Sequence, residues 1–249
     1  MKKTLYSKKP EMILFDVGGT LFDDGRCIVR DGLRELLKYA DNPEAADEDT
    51  LCGLWDEYMS SLGGGICSEG GEHLDIYLGS ILKFVTMNAG LKFSIDIFSQ
   101  EEIFDRFNST RRVKDGLEGL LSCLKKKGIR TAVISNNAMS GEGLAQAIKR
   151  WLPTSSFEFC LTSADLLFPK PDKMLFVTAA RYAGVSVNNC WYCGDGKIPD
   201  VDGAQRASML PVLIDEKSDC PLLFRENDGR GEYMVIKNWS ELEKFISEM

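Results

Sequence analysis

Short apolar runs recur along this chain. Each stops on polar residues or glycine, and stretches of helical periodicity separate them. Glu11–Phe15 stops on Asp16 with a Gly-Gly pair just beyond, and Ile129–Ile134 stops on Ser135-Asn136-Asn137. Phe157–Leu161, Cys190–Cys193, Leu210–Ile214 and Glu232–Ile236 are further runs of strand length. Runs this short suit buried strands. Between them, Gly116–Lys127 sets Leu117, Leu120, Leu121 and Leu124 at helical spacing and ends on Lys125–Lys127 before Gly128. Cations in a last turn complement the helix dipole, and glycine ends the helix. Gly143–Trp151, Asp200–Ala207 and Ser240–Ser247 read as helices too, as does a segment capped by Asp172 that runs to about Tyr182 before Gly184. Strand–helix alternation predicts an α/β fold with a doubly wound parallel sheet. Sites in such sheets lie at the carboxyl ends of strands. Asp16, Ser135 and Asp195 fall there.

The stretch from about Arg26 to Thr110 breaks this pattern. Its amphipathic runs are Arg30–Tyr39, Asp49–Leu62, Glu72–Asn88 and Ser99–Phe107. They predict a helical insertion covering the site. Gly63-Gly64-Gly65 and Gly70-Gly71 bracket a loop within it.

Composition narrows the partners. The 249 residues suffice for one core and a smaller accessory domain, and the formal net charge is −8. An acidic surface repels phosphate backbones, so no nucleic-acid partner is expected. A metal and a lysine can still reverse the field inside one cleft. No apolar run approaches the ~20 residues of a spanning helix, and Asp16 cuts the apolar stretch that follows the early lysines, so neither a membrane span nor a secretory leader is expected. The eight cysteines are scattered and read as reduced thiols of a cytoplasmic protein. Cys190-Trp191-Tyr192-Cys193 has CxxC spacing, but residues three apart on a strand face opposite sides. The two sulfurs are expected to be core residues, not a metal or redox pair.

Four separated pieces carry chemistry. Asp16-Val17-Gly18-Gly19-Thr20-Leu21 puts a carboxylate at a strand end beside a glycine turn, where it can act as a nucleophile. Ser135-Asn136 offers a hydroxyl and amide donors to an anion. Lys170, between Pro169 and Pro171, supplies a positive charge on a restricted backbone. Gly194-Asp195-Gly196-Lys197-Ile198-Pro199-Asp200 sets two carboxylates on one turn, hard oxygen ligands that suit Mg2+.

In order and spacing these pieces resemble the four motifs of the haloacid dehalogenase-like superfamily, especially phosphatase-like members with a helical cap after the first motif. Residues 1–24 and 111–249 correspond to its Rossmann-like catalytic core and 25–110 to the cap. The resemblance implies that Asp16 is the nucleophile, that Ser135 binds the transferring phosphoryl group and that Lys170 stabilises both charges. It implies Mg2+ held by Asp16, the carbonyl of Gly18 and Asp195, with Asp200 supporting the metal or Lys170. Asn136, Gly19 and Thr20 are the further substrate contacts. The implied substrate is a small phosphorylated metabolite; the oligomeric state is not indicated.

One departure stands out. Phosphatases of this family carry a second Asp two residues after the nucleophile, which protonates the leaving group and activates water. Here that position is Gly18. General acid–base help is worth ~10²–10⁴-fold, so ordinary phosphomonoester turnover is expected to be weak. His73, the chain's one histidine, flanked by Glu69 and Glu72, is one substitute; Asp23 and Asp24, expected as solvated turn residues, and a cap lysine such as Lys83 or Lys92 are others. Two further readings stay open: a dehalogenase in which Asp16 attacks carbon, and a binding protein that keeps the site without turnover.

Overall fold

The chain is described here from a computed structural model covering residues 5–62, 66–67, 73–74, 76–219, 222–226 and 229–249; for 24, 66–67 and 73–74 only the backbone is described. The glycine-rich loop residues 63–65 and 70–71, with Glu69, Glu72 and the side chain of His73, lie outside the described residues.

Strand β1 (Met12–Phe15) leads into β2 (Phe22–Cys27), α1 (Val29–Leu37), α2 (Glu48–Ser61), the two-residue strands β3 (Ile66–Cys67) and β4 (His73–Leu74), α3 (Leu78–Asn88), α4 (Ile97–Asn108) and β5 (Ser109–Val113). Then follow α5 (Leu117–Lys126), β6 (Arg130–Ser135), α6 (Gly141–Trp151), β7 (Cys160–Thr162), α7 (Ser163–Leu166), α8 (Lys173–Ala183) and β8 (Cys190–Gly194). The chain ends with α9 (Gly203–Arg206), β9 (Leu210–Ile214), β10 (Leu223–Glu226), β11 (Glu232–Ile236) and α10 (Trp239–Ser247).

Seven strands form the main sheet in the order β10-β11-β9-β8-β1-β6-β7. Neighbours are parallel except β10 with β11. This is the α/β, Rossmann-like architecture expected from the alternation. All four residues of β1 are buried, as a strand covered on both faces requires. The faces separate with a period of two. Ile13, Phe15, Trp191 and Cys193 pack with Leu120, Leu144, Trp239 and Leu242 from α5, α6 and α10. Met12, Leu14, Cys190 and Tyr192 pack with Phe176, Ala179 and Ala204 from α8 and α9. Cys190 and Cys193 therefore sit on opposite faces of β8, as strand geometry dictates. Asp172 caps α8 by accepting from the N–H of Met174, and Gly184 ends that helix in the left-handed conformation.

β6 and β8 flank β1, and the chain winds outward from β1 in both directions. The carboxyl end of β1 is thus the switch point, where side chains from three strand ends meet over an open crevice.

The helices α1–α4 are joined to the sheet through an antiparallel ribbon of β2 and β5, which straddles residues 25 and 110. Their apolar faces are continuous with the core through Leu33, Leu36, Leu82, Val85 and Phe104. Sequence periodicity did not indicate the ribbon. β2 contains Asp23-Asp24-Gly25-Arg26, residues depleted in strands, and is held by pairing with β5. Asp23, expected in a solvated turn, is a strand residue paired with Lys114 at 2.5 Å. α3 begins at Leu78, not near Glu72, after Tyr77 at its N-cap. Among the described residues no helix is long and apolar enough to cross a membrane.

Candidate active site

Asp16 follows the last residue of β1, and its N–H donates to the carbonyl of Cys193 at 2.9 Å. That bond continues the parallel ladder and aims the carboxylate into the crevice between β6 and β8. The turn behind it depends on Gly19, which is left-handed (φ +65°). A Cβ on Gly19 would stand 2.1 Å from Oδ2 of Asp195, so the Asp195 carboxylate rests directly against this backbone.

Three of the four sequence pieces converge on the first. Ser135 Oγ donates to Asp16 Oδ1 at 2.9 Å. Lys170 Nζ donates to the same oxygen at 2.7 Å and to Asp200 Oδ1 at 2.7 Å. Asp16, Asp195 and Asp200 offer oxygens that all lie within 4.8 Å of one another. A π-helical turn over Lys197–Asp202 returns Asp200 beneath Asp195, and the Gly196 N–H donates to Asp200 Oδ2 at 2.7 Å. Such turns are rare and recur at functional sites. The resulting cavity, ≈ 250 Å³, is lined by Asp16, Val17, Gly18, Arg111, Ser135, Asn136, Asn137, Lys170, Asp195, Pro199 and Asp200. A larger cavity of ≈ 830 Å³ between α4 and α6 holds none of these residues.

The electrostatics follow from burial. Burial raises the Asp16 carboxyl above the usual aspartate value, and Asp200 adds to the rise against the pull of Lys170. Burial, then Asp16 and Asp200, raise Asp195 likewise. Burial works against the Lys170 ammonium, but Asp16 and Asp200 outweigh it and carry it above the ordinary lysine value. Lys170 pairs with Asp16 and Asp200, so Asp195 is the carboxylate of the three with no ion pair among the described residues. One lysine cannot neutralise three crowded carboxylates. The donor set fits a hard cation, which all-oxygen ligands favour.

Other expected contacts are placed differently. Asn136 lines the cavity, but its side chain is engaged with the Lys170 backbone: Nδ2 donates to the carbonyl at 3.1 Å, and the Lys170 N–H donates to Oδ1 at 2.7 Å. It clamps the lysine loop to the end of β6. Thr20 is fully buried, its carbonyl accepting from Trp239 Nε1 at 3.2 Å, and neither Thr20 nor Gly19 lines the cavity. The turn sends Thr20 into the core and leaves Gly19 half-buried against the Asp195 carboxylate.

Two residues escaped the sequence reading. Tyr192 is fully buried, and its hydroxyl accepts from Lys170 Nζ at 2.8 Å and stands 3.1 Å from Asp200 Oδ1. A buried tyrosine hydroxyl needs a partner, and that was the available signal in an apolar strand. Arg111, on β5, lines the cavity from outside every motif. The polar run Ser109–Arg112 gave no hint of which side chain turns inward.

The helical segment also grips the loop beyond β6. Glu101 of α4, fully buried, accepts from the N–H of Ser140 at 2.9 Å and from its hydroxyl at 2.6 Å. The Leu78 N–H donates to the Ala138 carbonyl at 2.7 Å.

A family model for haloacid dehalogenase-like hydrolases matches residues 10–208, and the chain belongs to that family. Haloacid dehalogenase-like hydrolase domain-containing protein 3 of Mus musculus is 30% identical over 122 residues, 46% of this chain and 45% of that protein. The match thus spans about half the length of this curated relative. The 2-haloacid dehalogenase of Pseudomonas syringae superposes with a TM-score of 0.59 at 19% identity, covering 96% of this chain and 99% of that one. A HAD phosphatase from Thermococcus onnurineus gives 0.53 at 17% identity, covering 95% and 97%. At such identities these likenesses bear on the fold alone.

Proposed function

We propose that this hydrolase is a Mg2+-dependent phosphatase-like enzyme acting on a small phosphorylated metabolite through an aspartyl-phosphate on Asp16. The observation that carries the reading is the convergence on one Asp16 oxygen of Ser135 and Lys170, beside two further carboxylates. Asp16, Asp195 and the Gly18 carbonyl would hold Mg2+. When bound, the ion offsets the carboxylates and draws charge from the phosphoryl oxygens. Both oxygens of Asp200 are engaged, one by Lys170 and one by the Gly196 N–H, so its part is to fix Lys170 and the turn.

The chain's own groups perform the displacement. An oxygen of Asp16 attacks phosphorus, the bond from phosphorus to the leaving oxygen breaks, and that oxygen departs with the electron pair. Ser135 and Lys170 hold the Asp16 carboxylate through Oδ1, and Lys170 brings a positive charge beside the transferring group. Water then attacks the aspartyl-phosphate, releasing phosphate and restoring Asp16. Gly18 has no proton to give the leaving group, so the reading favours leaving groups that depart as stable anions. The helical segment of residues 25–110 is the cap that sets specificity and limits water.

The discriminating experiment is hydrolysis of p-nitrophenyl phosphate with Mg2+ and with chelator, with Asp16→Asn as blank. Mg2+-dependent turnover that Asp16→Asn lacks supports the reading. Metal-independent halide release from 2-chloropropanoate would replace it with the dehalogenase reading, which the carboxylates around Asp16 disfavour because they repel an anionic substrate. Gly18 favours the other alternative, a phosphate-binding protein; binding without any turnover would establish that one.

A further inference from the structure

Consecutive asparagines after β6, Asn136 and Asn137, line the cavity around Asp16, and their side chains are not equivalent. The Asn136 amide is engaged at both ends by the Lys170 backbone. The Asn137 amide is engaged at one end: Oδ1 accepts from the Met139 N–H at 2.9 Å. An amide oxygen held on an N–H fixes which end of the side chain is the donor. That end is Nδ2, and among the described residues it makes no hydrogen bond.

The backbone carrying Asn137 is held by the core and by the helical segment alike. Its N–H donates to Ser163 Oγ at 3.0 Å. The next carbonyl, that of Ala138, accepts from the Leu78 N–H at 2.7 Å, and Ser140 is bound to Glu101 through its N–H and hydroxyl. A donor on a fixed backbone needs little reorganisation to meet charge. The groups that the sequence assigned to the phosphoryl group are, besides Asn136, engaged elsewhere. Ser135 directs its hydroxyl proton at Asp16 Oδ1. Lys170 has three N–H donors, and Asp16, Tyr192 and Asp200 accept them.

We infer that Asn137 Nδ2 donates to an oxygen of the transferring phosphoryl group, so the amide contact assigned by sequence to Asn136 belongs to the next residue. The oxygens of a phosphoryl-type oxyanion accept, which complements the donor end of an amide, and a charged acceptor strengthens the bond. The inference rests on reading the Asp16 site as a phosphoryl site, and the test separates the two.

Calorimetric titration with inorganic phosphate in Mg2+ needs no turnover. Asn137→Ala removes the donor and the acceptor for Met139 and adds no charge. Asn137→Asp removes the donor but keeps the oxygen that holds the turn. Both variants are expected to bind phosphate at least ~10-fold more weakly than wild type, as for a hydrogen bond to a charged group. A loss in Asn137→Ala alone would make Asn137 a turn residue, and a loss in Asn137→Asp alone would reflect repulsion by the added carboxylate. Either result, or affinity within about threefold of wild type in both, overturns the inference while leaving the phosphoryl reading standing. Asn137→Ser replaces the Ala variant if circular dichroism shows that one unfolded; its hydroxyl keeps an acceptor for Met139 but falls one bond short of Nδ2. Wild type that binds no phosphate overturns the phosphoryl reading and this inference together.

Discussion

The carboxylate of Asp195 rests against Gly19: a Cβ there would stand 2.1 Å from Oδ2. Two pieces far apart in sequence, the turn after β1 and the turn after β8, are thereby pressed together with no space for a side chain. Gly19→Ala must shift Asp195 and also strain a left-handed residue, at about 1–2 kcal/mol. The Mg2+ concentration for half-maximal activity is expected to rise at least ~10-fold, well beyond what that loss of stability explains. A metal titration alongside urea unfolding checks this. An unchanged Mg2+ requirement would mean that Asp195 does not hold the ion.

The missing acid gives a prediction about leaving groups. The left-handed residue of the turn is Gly19, and Gly18 is not among the glycines with positive φ. The backbone at 18 therefore does not itself oppose a side chain. Gly18→Asp is expected to raise turnover of alkyl phosphates more than that of p-nitrophenyl phosphate, by a ratio on the order of 10- to 100-fold. Rapid wild-type hydrolysis of alkyl phosphates would instead show that another group already supplies the proton.

Tyr192 and Lys170 give a third. The hydroxyl is a neutral contact, since burial raises it well above the usual tyrosine value. Tyr192→Phe removes one of three oxygens around the Lys170 ammonium and keeps the ring. One hydrogen bond is worth about 1 kcal/mol, so kcat is expected to fall roughly fivefold with KM little changed. A change confined to KM would assign Tyr192 to substrate binding.

How much of this was legible beforehand depended on local signals. Strand ends could be read because each apolar run stops on a residue of the candidate site: Phe15 before Asp16, Ile134 before Ser135, Gly194 before Asp195. The order of those residues identified the family, and the burial of β1 agrees with its unbroken apolar run. Relations that need the third dimension could not be read. Asn136 looks like an anion contact until the Lys170 backbone is seen to take its amide. Thr20 follows Asp16 closely, yet the Gly19 turn sends it into the core. β2 exists because β5 pairs with it, and Arg111 reaches the cavity because that ribbon carries it there.

Glu101 gives a pH prediction away from the reacting groups. Burial raises its carboxyl above the usual glutamate value, and Asp165 adds to this, against the hydrogen bonds of Ser140 and Tyr77. Among the described residues its Oε1 has no hydrogen-bond partner. A raised folded value means that the folded state holds the proton more tightly than the unfolded chain. Stability from this group is thus present below the ordinary value of 4.5 and declines as pH rises through the folded value. Unfolding free energies of wild type and Glu101→Gln, compared between acid and neutral pH, are expected to shift in favour of the variant as pH rises. A difference that is flat or moves the other way would contradict this.

The most direct test of the central claim is acid-quenched mass spectrometry of the chain after incubation with p-nitrophenyl phosphate and Mg2+. On the proposed mechanism, with no acid–base residue at Gly18, hydrolysis of the acyl phosphate is expected to be slow and the adduct to accumulate. The expected result is one added phosphoryl group, mapped to the peptide carrying Asp16, absent from Asp16→Asn and absent without Mg2+. Steady turnover with no such adduct, or turnover that survives in Asp16→Asn, would contradict the aspartyl-phosphate mechanism.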